Sequence, residues 1–243
     1  MQAYHDKKGH NPFMRSPKAR QGIREECMLS NQQLAELVKK GKDQSKETKF
    51  TQSVEVLIAL KEVDPKKTDL NINETVFLPH PTSRQAKVCF IGSGDLAVRA
   101  RNAKANLVMD PSQLENYGGS KRDAKKLARS YDFFLADTAL MPRIGKILGQ
   151  ALGPKGKIPT PVPPNSPIET MINRMRTAVR IRSRGSLGVM AKVGDSKLTE
   201  PQLAENIVAV VNAVAKKLPN GDKNIRTVMV KTTMGKPAKQ AVD

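Results

Sequence analysis

Two clusters of proline divide this chain into stretches of different periodicity. Pro79 with Pro81, and the run over 149–164 that contains LGPKGKIPTPVPP, fit neither a helix nor a central strand, because proline lacks the N–H donor and fixes its own φ. Before the first cluster, residues 50–60 alternate. Val54, Val56, Ile58 and Leu60 face one way and Thr51, Ser53 and Glu55 the other, the pattern of a half-buried strand. Ser30 and Gln33 form a capping-box pattern ahead of Leu34, Leu37 and Val38, predicting a helix that stops at Gly41, and 75–78 reads as a second strand. Between the clusters, strands over 87–91, 107–109 and 133–136 alternate with helices over 95–103, 121–129 and 140–148. That is the signature of a small parallel sheet flanked by helices. After the second cluster come a helix over 168–177, strands over 179–183 and 187–193 joined near Gly185, and a long helix over 199–218 capped by Thr199 and Gln202. A last strand over 225–231 and a loop to Pro237 follow.

The expected fold is therefore α/β in two domains. A split α+β domain, an antiparallel sheet with helices, occupies 28–83 and 161–243; it is interrupted by an inserted three-layer, Rossmann-like α/β domain over 84–160, and a basic, aperiodic extension covers 1–27. Pro-rich connections on both sides suit such an insertion, since they are semi-rigid and can act as paired hinges.

Charge narrows the function. The chain carries 42 Lys and Arg against 23 Asp and Glu, a formal +19, and between Asp137 and Asp195 a single acid, Glu169, faces ten cations. Such an interval repels itself unless it lies against a polyanion, so nucleic acid is the expected partner. No apolar run reaches the ~18–20 residues that a bilayer needs, and no basic helix has a bulky apolar back, so no membrane partner is expected. Cys27 and Cys89 are too few for a disulfide scaffold and suit a reducing, cytosolic setting, although one bridge between them stays open. His5, His10 and Cys27 fit no zinc spacing, and no metal is expected.

The alternative reading is a small dinucleotide-binding oxidoreductase. Gly92-Ser-Gly94-Asp-Leu-Ala97 follows a strand and opens a helix, with Asp110 placed where a ribose-binding acid would stand. Against it, the inserted module is about half the length of a complete dinucleotide fold. Asp95 would repel a phosphate and serves better as a helix N-cap. Gly153 to Lys157 is no phosphate loop, because Ile158 occupies the hydroxyl position, and His80 has no neighbouring nucleophile. The expectation is a non-enzyme without a cofactor.

Specific RNA binding calls for hydroxyls, stacking groups and close backbone approach. Two segments supply them: Lys49, Phe50, Thr51, Ser53 and Glu55, and Lys231-Thr-Thr233-Met234-Gly235. KFTQSVEV (49–56), LMPRIGKILGQALGPKGKIPTPVPPN (140–165), AENIVAVVNAVAKKLPNG (204–221) and VKTTMGKP (230–237) closely resemble the ribosomal protein L-one family in its archaeal form, over residues 28 to about 240. The resemblance implies a structural constituent of the large ribosomal subunit in the cytoplasm. Its partners would be the rRNA of the mobile stalk beside the exit site, the deacylated exit-site tRNA whose release it assists, and its own mRNA leader, which it represses. By motif match it implies an RNA-contacting set of Lys49, Phe50, Ser53, Glu55, Thr227, Lys231, Thr233, Met234 and Gly235, gathered by antiparallel pairing of the first and last strands. Two features depart from the family. The extension precedes Met28, about where members commonly begin, and Pro81 stands where members often have glycine.

Overall fold

The computed structural model describes residues 30–63, 72–183 and 185–242; the expected extension over 1–27, with His5, His10 and Cys27, and Met28 lie outside the described residues. The chain runs α1 (Asn31–Asp43), β1 (Ser53–Leu60), β2 (Asn73–Phe77), β3 (Val88–Ile91), α2 (Gly94–Asn102), β4 (Leu107–Met109), α3 (Pro111–Gly118), α4 (Lys121–Ser130) and β5 (Phe133–Asp137). It continues through α5 (Met141–Leu152), β6 (Thr160–Val162), α6 (Ile168–Arg176), β7 (Ala178–Arg182), β8 (Gly188–Asp195), α7 (Glu200–Ala215), β9 (Ile225–Thr232) and β10 (Ala238–Ala241).

The two ends of the chain build an antiparallel sheet in the order β10-β9-β1-β8. The period-2 pattern of β1 decides which face is covered: Val54, Val56, Ile58 and Leu60 are buried with Leu34, Leu37 and Val38 of α1 and Leu203, Ile207, Val210 and Val214 of α7. Each fully buried aliphatic side chain in this layer contributes roughly 1.5–3 kcal/mol relative to exposure. Both helices start as the sequence dictates, with reciprocal caps between Ser30 and Gln33 and between Thr199 and Gln202. Helix α1 does not stop at Gly41. It runs on to Asp43, and Gly41 is inside it because a Cβ there would press to 3.2 Å from the Val230 carbonyl oxygen.

The inserted portion is a three-layer α/β unit. Its parallel sheet has the order β4-β3-β5-β6, and the central strands β3 and β5 are apolar on both faces, as a covered parallel sheet requires. Cys89, Ile91, Phe134 and Ala136 pack against α3, α4 and α5; Val88, Phe90 and Leu135 pack against α2 and α6. Helix α3 has no sequence counterpart above, since it buries one leucine, Leu114, and shows no stripe.

Several boundaries move. The Gly/Pro run does not interrupt regular structure throughout: α5 extends through 149–152, where a Cβ on Gly149 would meet open space, and β6 is an edge strand, the one place where its Pro161 is tolerated. Strand β6 belongs to the parallel sheet and α6 to its core, so the chain returns to the antiparallel side at Thr177, not near residue 161. The strands flanking Gly185 are not a hairpin, because β7 pairs with β2 in a separate two-stranded ribbon. Nor is β9 the last strand: β10 adds to it antiparallel.

The two crossings run side by side. Leu78 N–H donates to the Thr177 carbonyl at 3.2 Å and Ala86 N–H to the Arg176 carbonyl at 3.1 Å. Helix α7 pins the first crossing through Asn206, which is wholly buried; its Oδ1 accepts the His80 N–H at 3.0 Å, and its Nδ2 donates to the carbonyls of His80 and Val193 at 3.0 and 2.8 Å.

Candidate nucleic-acid interface

Helices cover one face of the antiparallel sheet and leave the other to its polar residues. Strands β1 and β9 pair antiparallel with Glu55 opposite Lys231, so the outward residues of the first and last strands share one surface. The Lys231 ammonium lies 3.6 Å from the Glu55 carboxylate, both side chains about one-third exposed.

At the end of this pair the loop after β9 folds back over the start of β1. Thr233 N–H donates to the Ser53 carbonyl at 3.0 Å, and Ser53 N–H donates to Thr233 Oγ1 at 3.0 Å. The turn is closed by Gly235 N–H donating to the Thr232 carbonyl at 3.2 Å. Only glycine fits at 235, since a Cβ there would fall on Thr232 Oγ1 and reach 3.4 Å from Ser45 Cα. The result leaves Phe50 and Met234 each 55% exposed, large apolar side chains displayed on loops that their own backbones hold in place. Lys49 is exposed beside Phe50 in the bend before β1.

Eight of the nine expected residues therefore cluster. Thr227 does not: it pairs with Ala59, four residues along β9 from Lys231 and so about 13 Å away on the same face.

The sequence reading missed Gln52, which organises the cluster. It is buried; its Nε2 donates to the Lys46 carbonyl at 2.7 Å, its Oε1 accepts the Met234 N–H at 3.1 Å, and its own carbonyl accepts the Ser196 N–H at 2.8 Å. The available signal was a polar residue in phase with the inward positions Val54 and Val56. Also missed were Lys192 and Met190 of β8, which lie opposite Glu55 and Leu57, and Met229 of β9, opposite Leu57 on the other side. They extend the face into a rung of lysines around one carboxylate and a rung of methionines.

Lys192 also reaches back to Asp195 at 2.8 Å, and Asp195 accepts the Ser83 N–H at 2.7 Å. Burial pushes the Asp195 carboxyl up, but the hydrogen bonds from Lys192 and Ser83 and the ammonium charge outweigh it and hold the carboxyl below its ordinary value.

The features that suggested dinucleotide chemistry are used structurally. Gly92 is required because a Cβ would approach the Phe90 ring to 2.6 Å. Ser93, not Asp95, holds the N-cap position of α2, and Asp95 pairs with Arg99 at 2.6 Å. Asp110 begins α3 in a reciprocal cap with Gln113 and takes Arg101 at 3.3 Å. His80 pairs with Glu205 at 2.6 Å. Cys89 is a buried free thiol whose pKa is pushed up to about 12 by burial, which suppresses the thiolate that nucleophilic chemistry needs. Among the described residues no group of His, Cys, Asp and Glu could hold a metal ion, and no helix is long and apolar enough to cross a membrane.

Residues 38–236 match the ribosomal protein L1p/L10e family. A protein of Cenarchaeum symbiosum named large ribosomal subunit protein uL1 is 49% identical over 214 residues, 88% of this chain and 98% of that protein. Proteins of the same name from Methanospirillum hungatei and Pyrococcus horikoshii are 40% and 43% identical, over 87% and 85% of this chain and 99% and 94% of their own lengths.

Proposed function

The chain belongs to the ribosomal protein L1p/L10e family, and on that footing we propose that it binds stalk rRNA of the large subunit through the loop-and-strand cluster around Phe50 and Met234. It is a structural, non-enzymatic constituent of the large ribosomal subunit, and its place is the cytoplasmic ribosome. The finer reading rests on one observation: two large apolar side chains stand exposed on hydrogen-bonded loops beside hydroxyls, lysines and a glycine that leaves the backbone approachable. That combination suits folded RNA, which is recognised by shape, stacking and 2′-OH contacts more than by charge alone. Glu55 adds an acceptor for a ribose hydroxyl, and Lys231, Lys192 and Lys49 supply phosphate partners.

The split and inserted units act in this reading as two domains, the first gripping rRNA while the second moves on the paired crossings and assists deacylated tRNA in leaving the exit site. A leader of its own mRNA with the same RNA shape would be bound by the same cluster, giving repression.

Phe50→Ala and Met234→Ala test the cluster, because both side chains are more than half exposed and lie outside the buried core. Filter binding to a stalk rRNA fragment at fixed salt should weaken about tenfold or more for each, the loss of a stacking or apolar contact worth roughly 1–3 kcal/mol, with Tm unchanged. Wild-type affinity in both variants would remove the site. Lys231→Ala should reduce the salt slope of binding by about one unit.

A further inference from the structure

A second cationic surface adjoins that cluster at Ser53 and Lys192, where the inserted unit faces the antiparallel side. A cleft of about 430 Å³ opens between them, within the ~300–1,000 Å³ range of small-ligand sites. Lys155 and Lys157 line it from the inserted unit, Arg180 and Lys192 from β7 and β8, and Arg84 from the first crossing; Asp132 is the one carboxylate among its lining residues.

These cations are not all neutralised by protein. Asp132 stands 3.8 Å from Lys157, whose ammonium also donates to the Tyr131 carbonyl at 2.5 Å. Lys192 is held by Asp195. Arg180 lies with its guanidinium 4.9 Å from the centre of the Phe133 ring, and its Nη1 is buried with no hydrogen-bond partner among the described residues. A buried guanidinium N–H without an acceptor is costly, and arginine's planar fork matches phosphate oxygens. Burial also pulls Arg180, Lys157 and Lys155 below their ordinary values; Asp132 offsets part of this for Arg180 and Lys157, neighbouring cations add to it for all three, and an anion placed among them would be favoured.

We propose that this cleft is a phosphate-binding site whose ligand is held from both units at once, by Arg180 and Arg84 on one lip and by Lys155 and Lys157 on the other. The chemistry fits either a backbone phosphodiester of bound RNA or a free phosphate compound. A phosphate seated there ties the inserted unit to the split one, so occupation stabilises the arrangement in which both line the cleft. The diester source rests on the RNA reading above; the free-phosphate source does not.

The test uses the full chain in phosphate-free buffer. Inorganic pyrophosphate, compared with chloride at equal ionic strength, should raise Tm in the wild type and fail to do so in Arg180→Gln. Arg84→Gln with Lys155→Gln, on exposed and half-exposed side chains, gives the same readout should Arg180→Gln fold poorly. In parallel, the double variant should lower the salt slope for stalk rRNA by up to about two units while keeping the discrimination against an unrelated duplex that Phe50→Ala and Met234→Ala erode. A pyrophosphate effect alone assigns the site to a free phosphate compound, and a slope change alone assigns it to the RNA backbone. Absence of both effects overturns the proposal, and loss of discrimination in the loop variants reports on the Phe50 and Met234 cluster instead.

Discussion

Asp195 is a buried carboxylate that fixes where the chain leaves the antiparallel side. Its oxygens take the Ser83 N–H at 2.7 Å and the Lys192 ammonium at 2.8 Å. Because its pKa is lowered from 3.8 in the fold, its stabilisation is complete above the ordinary carboxylate value and is lost as pH falls through the lowered one. Asp195→Asn should therefore cost about 1.5–3 kcal/mol at pH 7 and show a shallower fall in Tm on acidification below about pH 4 than the wild type, as followed by circular dichroism. Thr232 is the opposite case. Its Oγ1 is buried without a partner among the described residues, so Thr232→Val, nearly isosteric, should raise stability by up to about 1 kcal/mol in urea denaturation.

Among the elements, α7 does two jobs. Its apolar stripe, legible at period 3.6 in Leu203, Ile207, Val210 and Val214, closes the core, while Asn206 on the same helix holds the backbone of His80 126 residues away in sequence. Asn206→Ala would leave an N–H and two carbonyls unpaired in a buried site. It should destabilise by roughly 2–4 kcal/mol, measured by chemical denaturation, with Tm falling by several degrees. The periods of β1 and α7 and the continuous apolar runs of β3 and β5 could be read from the chain because burial imposes them residue by residue. Helix α3 could not, since Leu114 alone is buried in it; nor could β10, whose AKQA has no strand pattern until β9 is beside it. The end of α1 was misread at Gly41 because a glycine that admits a neighbouring carbonyl looks, in sequence, like a glycine that stops a helix.

Over the whole molecule, the proposed interface divides the work of binding between the net charge of +19 and the exposed apolar loops. Phosphate attraction is screened by salt, whereas stacking and hydroxyl contacts are much less so. Raising salt should weaken binding to an unrelated duplex more steeply than binding to stalk rRNA, so the ratio of the two affinities rises, as parallel filter-binding series would record. The two proline clusters, the period-2 strand, the βα alternation and the excess of cations are properties of neighbouring residues, and the sequence by itself determined them: an α/β chain with a parallel-sheet unit between two antiparallel segments, and a strongly cationic surface. Which strands meet is a property of residues far apart. Tertiary structure alone decided that Ser53 faces Thr233, that Gln52 holds Met234, that β6 and α6 belong to the inserted unit, and that Arg180 comes to lie against Phe133 with a buried N–H unpaired. The reason is physical: periodicity records how each element meets the core, and carries no record of which element lies across from it.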